Sequence, residues 1–239
     1  MEETETVAQS ASGKPPTRRQ LAAEETRRKL LAAALEAFAD RPYADVTVGE
    51  IARSAGVAQG LLSHHFKGKD GLYAEAVREV DAQLRAARSV SKGGPLSPLL
   101  QQRFRSHVEF LARNRKIAVH LILRRAGATE VAWAAFDSTR LHGIQEICHL
   151  LDLDPELPAL LPALRAFAAA ADELILIWLQ DTDTFPVETL AAALVDLLSG
   201  ALAAAARLAP DKRLNAVIAE LRKYQAGQTG TTQEPPASQ

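Results

Sequence analysis

The sequence predicts an all-α protein: a small three-helix N-terminal unit joined by a linking helix to a larger helical region. Three observations carry this. Apolar residues recur at helical spacing along most of the chain, and no run alternates with period two for long enough to build a sheet. Of 239 residues, 47% are hydrophobic but only 5% aromatic, so the apolar content is mainly Ala, Leu and Val. Finally, Gly and Pro fall between the periodic stretches rather than inside them.

Leu30, Ala34, Leu35, Phe38 and Ala39 define a first helix from Thr26, or from Thr17, to Asp40, which stops before Arg41-Pro42 because a residue ahead of proline avoids the helical region. Thr47 and Glu50 form a capping-box pair that opens a short helix at Val48–Ala55. Gly56 breaks it, and a second short helix covers Ala58–His65 before Lys67-Gly68-Lys69. An amphipathic linking helix follows, carrying Leu72, Tyr73, Ala76, Val77, Val80 and Leu84. It fades into Ser91-Lys92-Gly93-Gly94-Pro95, a loop. Beyond the loop the periodicity predicts helices at 97–113, 115–126, 128–151, 160–181, 186–208 and 210–224, with Pro162 and Pro186 in first turns, where a missing N–H costs nothing. Residues 1–16 and 225–239 are polar, Gly/Pro-bearing and aperiodic, and are expected to be disordered tails.

Charge and cysteine content narrow the function classes. Lys plus Arg number 28 and Asp plus Glu 29, a net charge of −1. That excludes a wholly basic nucleic-acid coat or an acidic tail protein, though not a local basic patch. From Lys14 to Lys69 ten basic residues face six acidic ones. Cys148 is alone, so no disulfide or multi-cysteine zinc site forms within one chain. Glu2, Glu3 and Glu5 stand where a secretory signal needs basic residues, and charges interrupt the apolar stretches before membrane-spanning length. A cytoplasmic protein without membrane association is expected. No G-x-S-x-G, P-loop, G-x-G-x-x-G or H-E-x-x-H string occurs, and Cys148 and His149 are helix neighbours that diverge; no enzyme activity and no cofactor are expected.

The two short helices meeting at Gly56 have helix-turn-helix spacing. Ala52 lies four residues before Gly56, where a small side chain permits a close crossing, and Ile51, Ala55, Val57 and Leu62 are apolar on the inner side. Spacing alone leaves open a DNA-reading unit or a plain helical corner. The longer stretches Thr26–Phe38, Thr47–Val57 and Gly60–Leu72 together closely resemble the N-terminal domain of TetR/AcrR-family transcriptional repressors. The resemblance implies a helix-turn-helix DNA-binding domain over residues 24–84, with the motif at 47–66, and a ligand-binding and dimerisation domain over 85–224. Two positions depart from the family pattern: Ala58 replaces a capping Ser, and Ser63 replaces a Tyr that touches the DNA backbone.

The resemblance places the helix from Ala58 in the major groove of an operator. Gln59 would pair with adenine, His64 or His65 would touch a guanine edge or phosphate, Gly60 would allow close approach, and Ser63 would face the backbone. Thr47, Val48 and Lys69, at helix starts, would grip phosphates, joined by Arg28 of the basic N-terminal stretch. One recognition helix reads too few bases alone, so a homodimer on a pseudo-palindromic double-stranded operator is implied. Its expected interface is Leu164, Phe167, Ala171, Leu174 and Trp178 on one helix with Leu190, Leu194, Leu197 and Ala201 on the next; a plain buried core is the alternative reading of the same residues. Candidate walls for a small apolar or amphipathic effector are Phe104, His107, Leu111, His120 and Arg124, with Trp133, Phe136, Arg140, Asp172 and Trp178. The whole implies a repressor released by that effector. Rivals are a same-fold activator or DNA-organising protein without an effector, and an all-helical enzyme or adaptor.

Overall fold

Thr17 opens the first helix of the computed structural model, which describes residues 17–88, 93–123 and 129–229. Its hydroxyl accepts from the Gln20 amide at 3.3 Å while the Gln20 side chain accepts from the Thr17 amide at 2.8 Å. This capping box starts α1 at Arg18, and the helix runs to Asp40, so Thr17 rather than Thr26 is the beginning. A 3-10 turn at Tyr43–Asp45, without a sequence signal, leads to α2 (Val48–Ser54). Thr47 caps α2 reciprocally with Glu50 as expected. Gly56 turns the chain with φ +67°, a conformation cheap only for glycine. After it come α3 (Gln59–Phe66) and α4 (Lys69–Ala87).

These four helices close on one apolar knot. Leu30, Phe38, Ile51, Leu62 and Leu72 are buried, and Phe38, Tyr43 and Tyr73 form an aromatic trio in which Tyr73 meets each of the other two edge-on at 4.9 Å. Gly71 marks the tightest crossing: a Cβ there would lie 1.9 Å from the Phe66 carbonyl oxygen. No side chain larger than hydrogen fits, and α4 can therefore start directly against the end of α3.

α4 continues into the second region, where it packs along α7 (Glu130–Leu151). α5 (Leu96–Arg113) and α8 (Leu160–Gln180) both pack on α9 (Val187–Leu208), and α10 (Lys212–Thr229) covers α9 from the other side. The expected helix at 115–126 is instead a single turn, α6 (Arg115–Ile117), followed by a π-helical turn at Ala118–Leu123. This segment rests against α1, and Lys116 Nζ reaches Asp40 at 2.6 Å.

Three expectations change. α10 runs to Thr229, past the end placed at residue 224, so residues 225–229 are helix rather than tail; residues 1–16 and 230–239 lie outside the described residues. Pro186 is the residue before α9, not inside its first turn. α9 is long and apolar enough to cross a membrane, contrary to the reading that charges interrupt every such stretch, but it is the central core helix, with Leu190, Leu194, Leu198 and Leu202 buried by its neighbours. Among the described residues there is no strand.

Candidate functional site

α3 is amphipathic in a way that fixes its outward side. Leu62 and Phe66, four apart, are buried, whereas Gln59, Gly60, Ser63 and His64 are exposed and His65 is half-buried. Ala58 supplies no side-chain cap, and of the first-turn N–H groups that of Leu61 is taken by the Ala58 carbonyl at 3.0 Å. The Gln59 carboxamide lies beside Gly49 of α2, its Oε1 3.5 Å from where a Gly49 Cβ would stand. An added Cβ on Gly60 meets no protein atom within 4 Å. No packing reason within the chain requires glycine there, and the open space suits an external surface at close range.

Thr47 is exposed and Val48 half-buried at the start of α2, and Lys69 opens α4. Lys69 Nζ sits over the Tyr43 ring at 4.1 Å and 3.5 Å from the Ala44 carbonyl oxygen. Partial burial lowers its pKa against the opposing pull of Asp70, Asp45 and Glu50. The Tyr43 hydroxyl donates to Asp70, and burial, then that carboxylate, pushes the phenol up to about 12. This aromatic shelf holds the Lys69 ammonium on the side of Asp45 and Glu50, near the α2 start.

The basic N-terminal stretch is largely engaged within the protein. Arg28 makes a two-point contact with Glu25, at 2.9 and 2.8 Å. Arg27 pairs with Glu75 and lies over the Phe66 ring. Arg18 and Arg19 are exposed.

A second site is a cavity of about 110 Å³ where α4, α5, α7, α8 and α9 converge. Five sequence candidates line it: Phe104, His107, Phe136, Arg140 and Asp172. Arg140 pairs with Asp172 and lies over the Phe136 ring. Four others lie elsewhere. Leu111 is sealed in the core, Trp178 is buried with its indole N–H donating to the Phe185 carbonyl at 3.0 Å, Trp133 is 42% exposed, and His120 belongs to the π-helical turn. Arg124 lies outside the described residues. The reading missed Leu84 and Arg88 from α4, Arg103 from α5, and Thr139, Gly143 and Ile147 from α7. Arg103 carried a usable signal, a charge beside Leu99, Leu100 and Leu96 on a largely apolar helix face; Arg88, grouped with Asp81 and Arg85, did not.

These two arginines are buried, at 6% and 8% exposure. Both bond one oxygen of Glu146, Arg88 Nε at 2.9 Å. Burial acts to raise the Glu146 carboxyl, but the hydrogen bonds and charges of Arg103 and Arg88 outweigh it and leave the pKa lowered. Beside them His107 is half-buried; desolvation, and then the charges of Arg88 and Arg103, push it down to about 3. It is a neutral imidazole at physiological pH.

The expected dimer residues divide sharply. Leu164, Phe167, Ala171, Trp178, Leu190 and Leu194 are buried inside the protomer, and Phe167, Ala171 and Leu194 line the cavity, so these six are corrected to core and cavity wall. Leu174 and Ala201 are half-buried and Leu197 is 38% exposed. The apolar side chains left at the surface of α8 and α9 include Leu161, Ile177 and Leu208, with Ile177 at 55% and Leu208 at 76% exposure. Helices that are apolar on more than one side offer no sequence cue for telling the inner face from the outer.

The first four helices thus form a helix-turn-helix unit mounted on a larger helical body, the architecture of one-component DNA-binding regulators. Residues 30–76 match the family of bacterial regulatory proteins described as the tetR family. The fold is similar to that of a tetR-family transcriptional regulator from Streptomyces coelicolor, at 26% identity and a TM-score of 0.67, covering 84% of this chain and 89% of that one. It is also similar to NalD, the secondary repressor of the MexAB-OprM multidrug efflux pump in Pseudomonas aeruginosa, at 27% identity and a TM-score of 0.55, covering 74% and 97%. FadR from Bacillus subtilis, solved in complex with stearoyl-CoA, shares the fold at 19% identity and a TM-score of 0.55, covering 72% and 97%. Residues 30–76 thus carry a tetR-family DNA-binding domain, and the overall fold is similar to that of TetR-family transcriptional regulators.

Proposed function

We propose that this chain is a homodimeric repressor that leaves a pseudo-palindromic operator when a small, largely apolar effector enters the cavity. The observation that carries the reading is the continuity of α4. Its first turn is locked to α3 at Gly71, and its other end supplies Leu84 and Arg88 to the cavity wall. A ligand that shifts the end of α4 therefore moves the reading helix without any intervening hinge. Near-complete switching requires a differential affinity of about 10⁴ between the two conformers, roughly 5.5 kcal/mol.

On this reading Gln59, Gly60, Ser63, His64 and His65 meet the major groove, while Thr47, Val48, the α3 start at Ala58, and Lys69 hold phosphates. Arg28 exchanges Glu25 for a phosphate. Leu161, Leu174, Ile177, Leu197 and Ala201 form the dimer surface; they are among the apolar residues of α8 and α9 that the protomer leaves incompletely buried. A mobility-shift assay with the DNA upstream of the protein's own gene tests this. Wild type binds it specifically, and the Gln59→Ala, His65→Ala, Lys69→Ala triple variant loses that binding while keeping its thermal transition. Equal, sequence-independent binding by both proteins overturns the reading.

A further inference from the structure

We infer that the cavity ligand is a monoanionic amphiphile, an apolar body carrying one carboxylate, and that the carboxylate docks on Arg88. The inference rests on the repressor reading only in taking the cavity as the effector site. The lining is apolar on most sides, from Leu84, Phe104, Ile144, Phe167 and Ile175 among others, and its charged groups are few. Arg140 is satisfied by Asp172. His107 is uncharged near neutral pH and so does not compete as a cation.

Arg88 differs. Its Nε donates to Glu146, and Nη2 also lies 2.9 Å from the same Glu146 oxygen. Nη2 is ion-paired with that oxygen but buried and makes no hydrogen bond to it. The next carboxylate, Asp81, stops 3.9 Å away, beyond hydrogen-bond reach, and the oxygen that faces Arg88 is likewise buried without a hydrogen bond. Asp81 is held from its other sides by Arg85 at 3.3 Å and His142 at 3.6 Å. Glu146 is already shared, because Arg103 donates to the oxygen that Arg88 uses. A buried guanidinium N–H that makes no hydrogen bond is costly, and this one borders an apolar cavity. A carboxylate supplies the missing acceptor as a charge-assisted bond, about twice as strong as one to a neutral oxygen.

The location also explains how binding is felt. Arg88 is the C-terminal cap of α4, and its carbonyl accepts from Arg103 at 3.3 Å. An anion on Arg88 therefore pulls on the end of the helix whose start is locked to α3.

Calorimetric titration of the full-length protein at neutral pH with octanoate, octanamide and octylammonium tests the proposal, with operator binding measured separately. Octanoate is expected to bind about ten- to a hundredfold tighter than octanamide, and octylammonium not at all. Arg88→Gln erases the preference for carboxylate over amide, and Arg88→Lys restores part of it. Should Arg88→Gln not fold, Arg88→Lys alone decides, because it must reduce the preference without abolishing it. Equal binding of octanoate and octanamide, no binding of either, or a preference unchanged in Arg88→Lys overturns the inference. Octanoate binding that leaves operator affinity untouched supports the anion site and contradicts the repressor reading. Operator binding without any octanoate binding does the reverse.

Discussion

The N-terminal unit and the α8–α9 pair are built from the same kinds of helix, yet they specify function in opposite ways. α3 is one-sided: Leu62 and Phe66 go in, and Gln59, Ser63 and His64 are left out. Its inner face settles its outer face. In α8 and α9 apolar side chains run around most of the circumference, so one side seals the protomer core and cavity while the other remains exposed at Ile177 and Leu197. Position in a one-sided helix is a statement about function; position in an all-round apolar helix is not, until its neighbours are known.

The sharpest way to break this comparison is to exchange the two sides of α8 and α9. Leu164→Ala, fully inside the core, is expected to cost about 3 kcal/mol in urea denaturation and to leave the association state unchanged. Leu197→Glu should have the opposite signature, a monomer in sedimentation with its secondary structure intact. If Leu164→Ala dissociates the protein and Leu197→Glu does not, the assignment of the two faces is reversed.

A second contrast lies within the N-terminal unit. Gly71→Ala forces a Cβ into the Phe66 carbonyl and should destabilise by about 2–3 kcal/mol. Gly60→Ala has open space and gains helix propensity, so it should stabilise by about 0.5–1 kcal/mol while weakening operator binding. Thermal melts paired with anisotropy titrations separate the effects, and a Gly60→Ala protein that binds DNA normally removes Gly60 from the interface.

The cavity adds a pH signature through His107. His107 is depressed from 6.5 to about 3 in the folded protein. The unfolded chain therefore takes up a proton that the folded one refuses. This contribution to stability is complete above pH 6.5 and is lost as pH falls toward about 3. Relative to His107→Gln, wild type should lose up to about 1.4 kcal/mol more per pH unit across that window. Parallel curves for the two proteins would show that His107 titrates freely. A change of similar size to that of Gly60→Ala is expected at the α3 start. Ala58→Ser restores a side-chain cap there and should add about 1 kcal/mol, read as a raised melting temperature.

Legibility followed the range of the interactions. The Thr47–Glu50 box, the Gly56 turn and the stop before Pro42 depend on residues within a few positions of one another, and the sequence discloses them. The exposed positions of α3 follow from the spacing of Leu62 and Phe66. The cavity is different: it assembles Arg88, Arg103, Arg140 and Ile175 from four helices, and no local pattern announces that Glu146 will collect both Arg88 and Arg103. Phe104 and Phe136 were found because large aromatics are few. Phe167, Ala171 and Leu194 were placed at a dimer surface because nothing in their own helices distinguishes the side facing α4 and α7 from the side facing solvent. The 3-10 turn at Tyr43 and the π-helical turn at Ala118 likewise arise where the chain must fit against α1 and α4.

On the proposed function, a pair of α3 helices reads the operator, held apart by the outer faces of α8 and α9. A hydroxyl-radical footprint of the operator tests it most directly. The expected result is two symmetric protected segments separated by one helical turn of DNA or a multiple of it, both lost together in Leu197→Glu. A single unpaired segment, or protection that survives unchanged in Leu197→Glu, would contradict it.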